Sequence, residues 1–340
     1  MNQTTQTDPV VGVDLGGTKI LAVVVTGQRD IIARCKKRTK AHKGCDVVLD
    51  RVASTIEGAV EQAGLKLQDV RAVGLGVPGP VDGAKGVINA APNLGWGRVE
   101  VAALLSDRIG RPVFLGNDTN LCTLGELDLG AGQGMHSLFG VFVGTGIGGG
   151  MVINGQLIEG ANGVASEFGH MTIKYDGKKA NTGWRGTVES LAARPAIVAN
   201  IVARIRAGKK SLLPDLVKDK TGRWDPDAPG FQIGSGLLAQ AYRQGDKIVR
   251  RYVDESAHLT GLGLANTVHL LNPQMIVVGG GVVEAIGEPY VEHVAEAIRA
   301  NTFPVAHADL KVVQAALGDD AGVLGAVSLV RRRLAEAVTP

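Results

Sequence analysis

The sequence has few cysteines, no surplus of basic residues and no apolar run approaching the length needed to span a bilayer. Its three cysteines, Cys35, Cys45 and Cys122, are odd in number and scattered, which argues against a disulfide framework and for reduced thiols in a cytoplasmic protein. The formal net charge is only +3, with 20% charged residues, so the basic excess of a nucleic-acid binder is missing. No secretory signal is visible, and no membrane partner is expected. Residues 1–9, MNQTTQTDP, read as a short disordered lead. Lys36, Lys37, Arg38, Lys40 and Lys43 form a local basic run, read as a solvated loop.

What the chain has in quantity is glycine. There are 48 among 340 residues, gathered in short runs beside apolar segments. Residues 10–25 read as two strands joined by a glycine turn, and 138–160 repeat that theme, with Asn154-Gly155 as a hairpin turn. Residues 46–63 place Val48, Val52, Ile56 and Val60 at fourfold spacing, an amphipathic helix stopped by Gly64. Residues 70–82 read as a buried strand entering a Pro-Gly loop, and 99–109 as a helix closed by Gly110. A short strand at 113–115 then delivers Gly116, Asn117 and Asp118. A long helix is expected from 190 to 206, a polar insert at 218–230, further helices to 271, and a strand at 276–282 carrying another glycine run. A closing helix is expected over 319–334, with Arg331, Arg332 and Arg333 at its dipole-favoured end. Strands alternating with helices imply an α/β fold around a mostly parallel, doubly covered sheet. The recurrence suggests two related lobes.

DLGGTK (14–19) offers backbone N–H groups without side chains in the way, plus a hydroxyl and an ammonium: a phosphate cradle. Asp14 adds a carboxylate able to hold Mg²⁺ directly or through a water. GTGIGGG (144–150) is a second cradle. Its Gly144, Gly146 and Gly149 match G-x-G-x-x-G, but a dinucleotide site needs a helix next, and MVINGQLI reads as a strand. Each glycine run alone is equally explained by a tight turn. Two on similar segments, with a third at 279–281, suggest a polyphosphate chain held between lobes.

Taken together, D14-LGGTKI, G76-VPGPVD, N93-LGW, N117-D, V143-GTGIGGG with Gly155 and Gly160, E167-FGH and G279-GG resemble the ROK family of sugar kinases. The similarity is collinear from Val10 to about Val330. It implies an actin-like ATPase (ribonuclease H-like) fold of two lobes around a cleft. The lobes are expected at 1–118, with a helix of about 318–335 returning to it, and at 119–317. The family also includes repressors with a DNA-binding domain ahead of the first glycine loop. Only nine residues precede Val10 here, so the kinase branch is expected. The resemblance makes Asp118 the catalytic base toward a sugar hydroxyl, a role that fits phosphoryl transfer, which asks mainly for positioning and charge stabilisation. The bland alternative for Asp118 is a helix N-cap.

Asn93, Asn117, Asp118, Glu167, His170 and Glu189 would hold the sugar; for Asn93 a turn residue after Pro92 is the alternative, and for His170 a structural role. Trp96 reads as packing. Gly16, Gly17, Thr18, Lys19, Gly144, Thr145 and Gly146 would meet the phosphates, and Gly279, Gly280 and Gly281 the adenosine. The resemblance thus implies ATP, Mg²⁺, a hexose, with glucose the first choice, and a homodimer. Most members pair the E-x-G-H histidine with three cysteines in a structural zinc site. Those positions are Ala180, Thr182 and Thr187 here, so no structural zinc is expected.

Overall fold

The computed structural model describes residues 8–337 apart from 181 and 229; most of the expected disordered lead lies outside the described residues. In chain order the elements are β1 (Val10–Leu15), β2 (Lys19–Thr26), β3 (Asp30–Arg38), α1 (Cys45–Gln62), β4 (Val73–Val77), β5 (Val81–Asp82), β6 (Val87–Ile88), α2 (Val101–Ile109), β7 (Val113–Asn117) and α3 (Asp118–Leu129). There follow β8 (Leu138–Val143), β9 (Ile147–Ile153), β10 (Gln156–Leu157), α4 (Val188–Ala192), α5 (Arg194–Arg206), α6 (Leu213–Thr221), α7 (Ser235–Arg243) and α8 (Lys247–Leu271). The chain closes with β11 (Met275–Gly279), α9 (Gly281–Ile286), α10 (Glu288–Ala300), α11 (Pro304–His307), β12 (Lys311–Gln314) and α12 (Ala321–Glu336).

Two five-stranded sheets carry the molecule, ordered β3-β2-β1-β4-β7 and β10-β9-β8-β11-β12. The second order repeats the first strand for strand, as the recurring strand–glycine–strand theme implies. Asn154 and Gly155 both take positive φ, the conformation a tight Asn-Gly hairpin needs. In the first sheet β1 runs antiparallel to β2 and parallel to β4, and β4 runs parallel to β7. One face of that sheet packs on α1 and α2 through Val48, Val52, Ile56, Val101 and Leu105; the other packs on α12 through Val323, Val327 and Val330.

Contacts divide the chain into two units. Unit 1 comprises the described parts of Met1–Gly140, Gly150–Ser166 and Ala316–Pro340; unit 2 comprises Val141–Gly149 and Glu167–Ala315. Within unit 1, glycines let helices lie directly on strands. A Cβ on Gly12 or Gly74 would overlap the carbonyl oxygen of Val323 or Ala326 in α12. α3 and α12, which follow equivalent strands of the two sheets, cross at Gly125 and Gly325; a Cβ on Gly325 would overlap the Leu121 carbonyl oxygen. Arg332 adds an ion pair with Asp128, its Nε 2.9 Å from Oδ2. No helix among the described residues is long and apolar enough to cross a membrane.

Three local expectations need correction. Lys36, Lys37 and Arg38 are not a loop but the end of edge strand β3, in register with Leu21, Ile20 and Lys19; lysine on an edge discourages pairing with a further strand. The helix expected from 190 to 206 is two helices, broken at Ala193, whose backbone is extended, because Pro195 has no N–H to continue the first. The polar insert begins inside α6, which reaches Thr221.

Candidate active site

The chemistry of unit 1 gathers where β1, β4 and β7 end. Asp14 stands one residue before the end of β1, in register with Gly76 of β4, and the chain then turns through Gly16–Thr18 into β2. The turn is tied down: Gly16 N–H donates to Lys19 O at 2.9 Å, and Thr39 Oγ1 donates to Gly16 O at 2.6 Å. Gly17 and Thr18 are exposed at its tip. A Cβ on Gly17 would sit 3.1 Å from the Asn93 carbonyl oxygen, so Asn93 lies against this loop. Trp96 is buried, as packing requires, with its Nε1 unpartnered. A cavity of about 540 Å³ is lined by Gly16–Lys19 together with Lys36, Lys37 and Arg38. These cations went unassigned in the sequence because they read as a solvated run.

Burial pushes the Asp14 carboxyl above its usual range; Lys19 opposes that push and Asp319 adds to it. The Asp14 carboxylate is a hard oxygen donor of the kind magnesium takes, in a shell commonly completed by water and phosphate oxygens. The residues present therefore fit Mg²⁺. Asp319 stood in the sequence only as the first residue of the expected closing helix.

Asn117 ends β7 and is the N-cap of α3. Its Oδ1 accepts from Thr119 N–H at 3.0 Å, Asn120 N–H at 3.1 Å and Thr119 Oγ1 at 2.8 Å, while Nδ2 donates to Gly79 O at 3.2 Å. The cap thus belongs to Asn117, and Asp118 is the first residue of the helix, half-buried. A carboxylate there faces the positive end of the helix dipole. Gly76 and Gly116 leave room for α3 to close on the sheet, since a Cβ on either would crowd Leu121.

In unit 2 the turn between β8 and β9 is closed by Gly144 N–H donating to Gly146 O at 2.8 Å. Glu189, in α4, reaches this turn: its Oε2 accepts from Ile147 N–H at 2.8 Å, and a Cβ on Gly146 would lie 2.6 Å from that oxygen. Arg194 Nη2 donates to Thr145 Oγ1 at 2.8 Å. That arginine has no motif around it, and nothing in the sequence marked it. Gly169 is required because a Cβ there would overlap the Ile147 carbonyl oxygen, so Glu167–His170 are pressed against the same turn. His170 Nε2 stands 3.8 Å from Glu167 Oε2, while its Nδ1 is buried without a hydrogen-bond partner. The third glycine run has a packing reason of its own. Cβ atoms on Gly279 and Gly280 would crowd Phe142 and Val143, and only Gly281, which opens α9, faces space beside Ser235.

The zinc positions do not offer a zinc donor set. Ala180 has no donor atom, Thr182 is exposed, and buried Thr187 caps α4 by accepting Ser190 N–H at 3.2 Å. Among the described residues no three His, Cys, Asp or Glu side chains cluster as metal ligands.

The sequence model of the ROK family matches residues 10–333. Over 326 residues the chain is 32% identical to a glucokinase of Thermotoga maritima, spanning 96% of this chain and 98% of that one. A ROK family glucokinase from Streptomyces griseus, solved with glucose and AMPPNP, is 33% identical and superposes with a TM-score of 0.81 over 95% of this chain and 99% of its own. A xylose repressor of Caldicellulosiruptor bescii is 28% identical over 94% of this chain and 77% of its own length. The α/β architecture matches the ROK kinase structures, whose fold is that of the actin-like ATPases. A match over nearly the whole chain means that this protein belongs to the ROK family.

Proposed function

We propose that the protein is an ATP-dependent hexose kinase that transfers the γ-phosphoryl group to glucose, at its 6-hydroxyl. The observation that supports this most is Asp118, held as the first residue of α3 by the Asn117 cap and set beside the strand ends that carry Asp14 and Gly16–Lys19. Asp118 accepts the proton of the sugar hydroxyl as its oxygen attacks phosphorus. Asn93, Asn117, Glu167, His170 and Glu189 hydrogen-bond the remaining sugar hydroxyls. Asn117 contributes through its amide, because its carbonyl oxygen is already occupied by α3.

Gly16, Gly17, Thr18 and Lys19, and Gly144, Thr145 and Gly146, present N–H, hydroxyl and ammonium groups to the phosphates; Gly279–Gly281 border the adenosine. Asp14 would hold Mg²⁺, and the ion when bound neutralises charge on the phosphate oxygens. Loss of proton and gain of phosphorus by one oxygen need no covalent enzyme intermediate, so positioning and electrostatics account for the whole of the protein's part.

The glucokinase relatives support glucose as the acceptor. Fructose, mannose and N-acetylated hexosamines differ from it around one or two ring positions, where specificity is set. The test is initial ADP release from MgATP against glucose, fructose, mannose, N-acetylglucosamine and N-acetylmannosamine. Glucose well ahead of the others is the expected result. Another sugar ahead would reassign the acceptor, and no turnover with any of the five would point to a rarer sugar, to another phosphate donor such as polyphosphate, or to a sugar-binding regulator.

A further inference from the structure

The segment between His170 and Glu189 is closed on itself through its backbone. Ile173 and Lys174 N–H both donate to Gly186 O, at 2.9 and 3.2 Å, and Gly186 N–H donates to Lys178 O at 2.9 Å. Val188 N–H donates to Met171 O at 2.9 Å, and Ala180 N–H to Trp184 O at 2.7 Å. Bridges join Thr172 to Thr187 and Lys179 to Arg185. The two arms approach backbone to backbone: a Cβ on Gly177 would lie 2.5 Å from Gly186 Cα, and Gly186 itself sits at φ +59°. The segment is therefore a closed hairpin-like loop whose tip presents Trp184.

Trp184 is 56% exposed, a large apolar ring left mostly in solvent. Among the described residues its ring partner is His170, edge to face, with centroids 5.4 Å apart and planes at 81°. That imidazole has little else to fix its rotation. Nδ1 is buried and unpartnered, and Nε2 is too far from Glu167, at 3.8 Å, for a hydrogen bond. An edge-to-face contact has a preferred direction, so it can set a ring's angle where hydrogen bonds do not.

We propose that Trp184 is the positioning residue for His170: the backbone-closed loop carries the indole to the imidazole and so does the orienting work of a metal–ligand bond. Resting on the kinase reading, the proposal adds that Trp184 sets sugar affinity through His170 without touching the reacting atoms.

The test uses the full chain, purified with a chelator and assayed for bound metal, in three forms: wild type, Trp184→Ala and Trp184→Phe. The first readout is the ¹⁵N-correlated spectrum of the His170 imidazole, assigned with His170→Gln. A single sharp ring pattern in wild type and in Trp184→Phe, averaged or broadened in Trp184→Ala, is expected. The second is steady-state kinetics with glucose: KM should rise about three- to tenfold in Trp184→Ala, the range one aromatic pair supports, with kcat nearly unchanged. Trp184→Phe should restore most of it.

An unchanged imidazole spectrum in Trp184→Ala overturns the proposal, as does a zinc ion bound at His170 in wild type. A changed spectrum with unchanged KM overturns the link to affinity. If wild type phosphorylates no sugar while the His170 spectrum still depends on Trp184, the kinase reading fails and the positioning role stands.

Discussion

Asp118 is the residue on which most depends, and its setting shows what a sequence conveys about one side chain. A carboxylate at a strand–helix junction suits either a cap or a base. The structure gives the cap to its neighbour, because Asn117 Oδ1 takes the first free N–H groups of α3, with Asp118 Oδ1 sharing the Thr119 N–H at 2.8 Å. Asp118→Asn should lower kcat by about 10²–10⁴-fold, the usual share of general-base catalysis, with glucose affinity by calorimetry largely kept; an undiminished rate would remove Asp118 from the mechanism. Arg194 and Asp319 were not legible in the sequence, because each gains its meaning from a distant element, the first from the β8–β9 turn and the second from Asp14.

Tyr290 supplies a prediction of another kind. Fully buried between Ser256 and Thr260, its hydroxyl is pushed by burial up to about 12. The native state keeps the proton where the unfolded chain gives it up, so its contribution is whole below pH 10 and is lost as pH rises from 10 toward 12. Over that window denaturant unfolding should show stability falling by up to about 1.4 kcal/mol per pH unit from this group. Tyr290→Phe should flatten that part of the curve, Tyr242 retaining its own share; an unaltered slope would show that Tyr290 ionises freely.

At the scale of elements, the helix pair α3 and α12 is joined by absence of side chains. Gly325→Ala places a methyl group on the Leu121 carbonyl oxygen, and forcing the helices apart should cost about 1–3 kcal/mol or more. The midpoint of thermal unfolding should drop accordingly; an unchanged midpoint would mean the crossing is looser than described. The strand–glycine–strand units were readable because short continuous apolar runs, rich in valine and bounded by glycine, fit buried strands. The break at Ala193 was not, since the apolar spacing continues through it and only Pro195 marks the stop. The basic run was misplaced for a similar reason: consecutive charges at the end of an edge strand look, residue by residue, like charge on a loop. The 172–187 bridges were hidden too, because a loop held by its backbone leaves no side-chain signature beyond Gly177 and Gly186. Since that loop is closed by hydrogen bonds, treatment with a zinc chelator should leave the unfolding midpoint where it was. A clear drop would return a metal to the site.

At the scale of the whole molecule, composition excluded much and chose little, whereas the ordered series of loops from Asp14 to Gly281 identified the family. The division into units was harder to read, since residues 141–149 and 167–315 interrupt unit 1 twice and no linker-like stretch announces either crossing. The placing of α12 also bears on how the protein is made. The strands it covers emerge from the ribosome well before α12 does. At about 5–20 residues per second, β1 and β4 wait on the order of 15–60 s for the helix that closes over Gly12 and Gly74. During synthesis one face of the first sheet is an open apolar surface, and a nascent chain halted before Ala321 should be a client of chaperones rather than a half-finished enzyme.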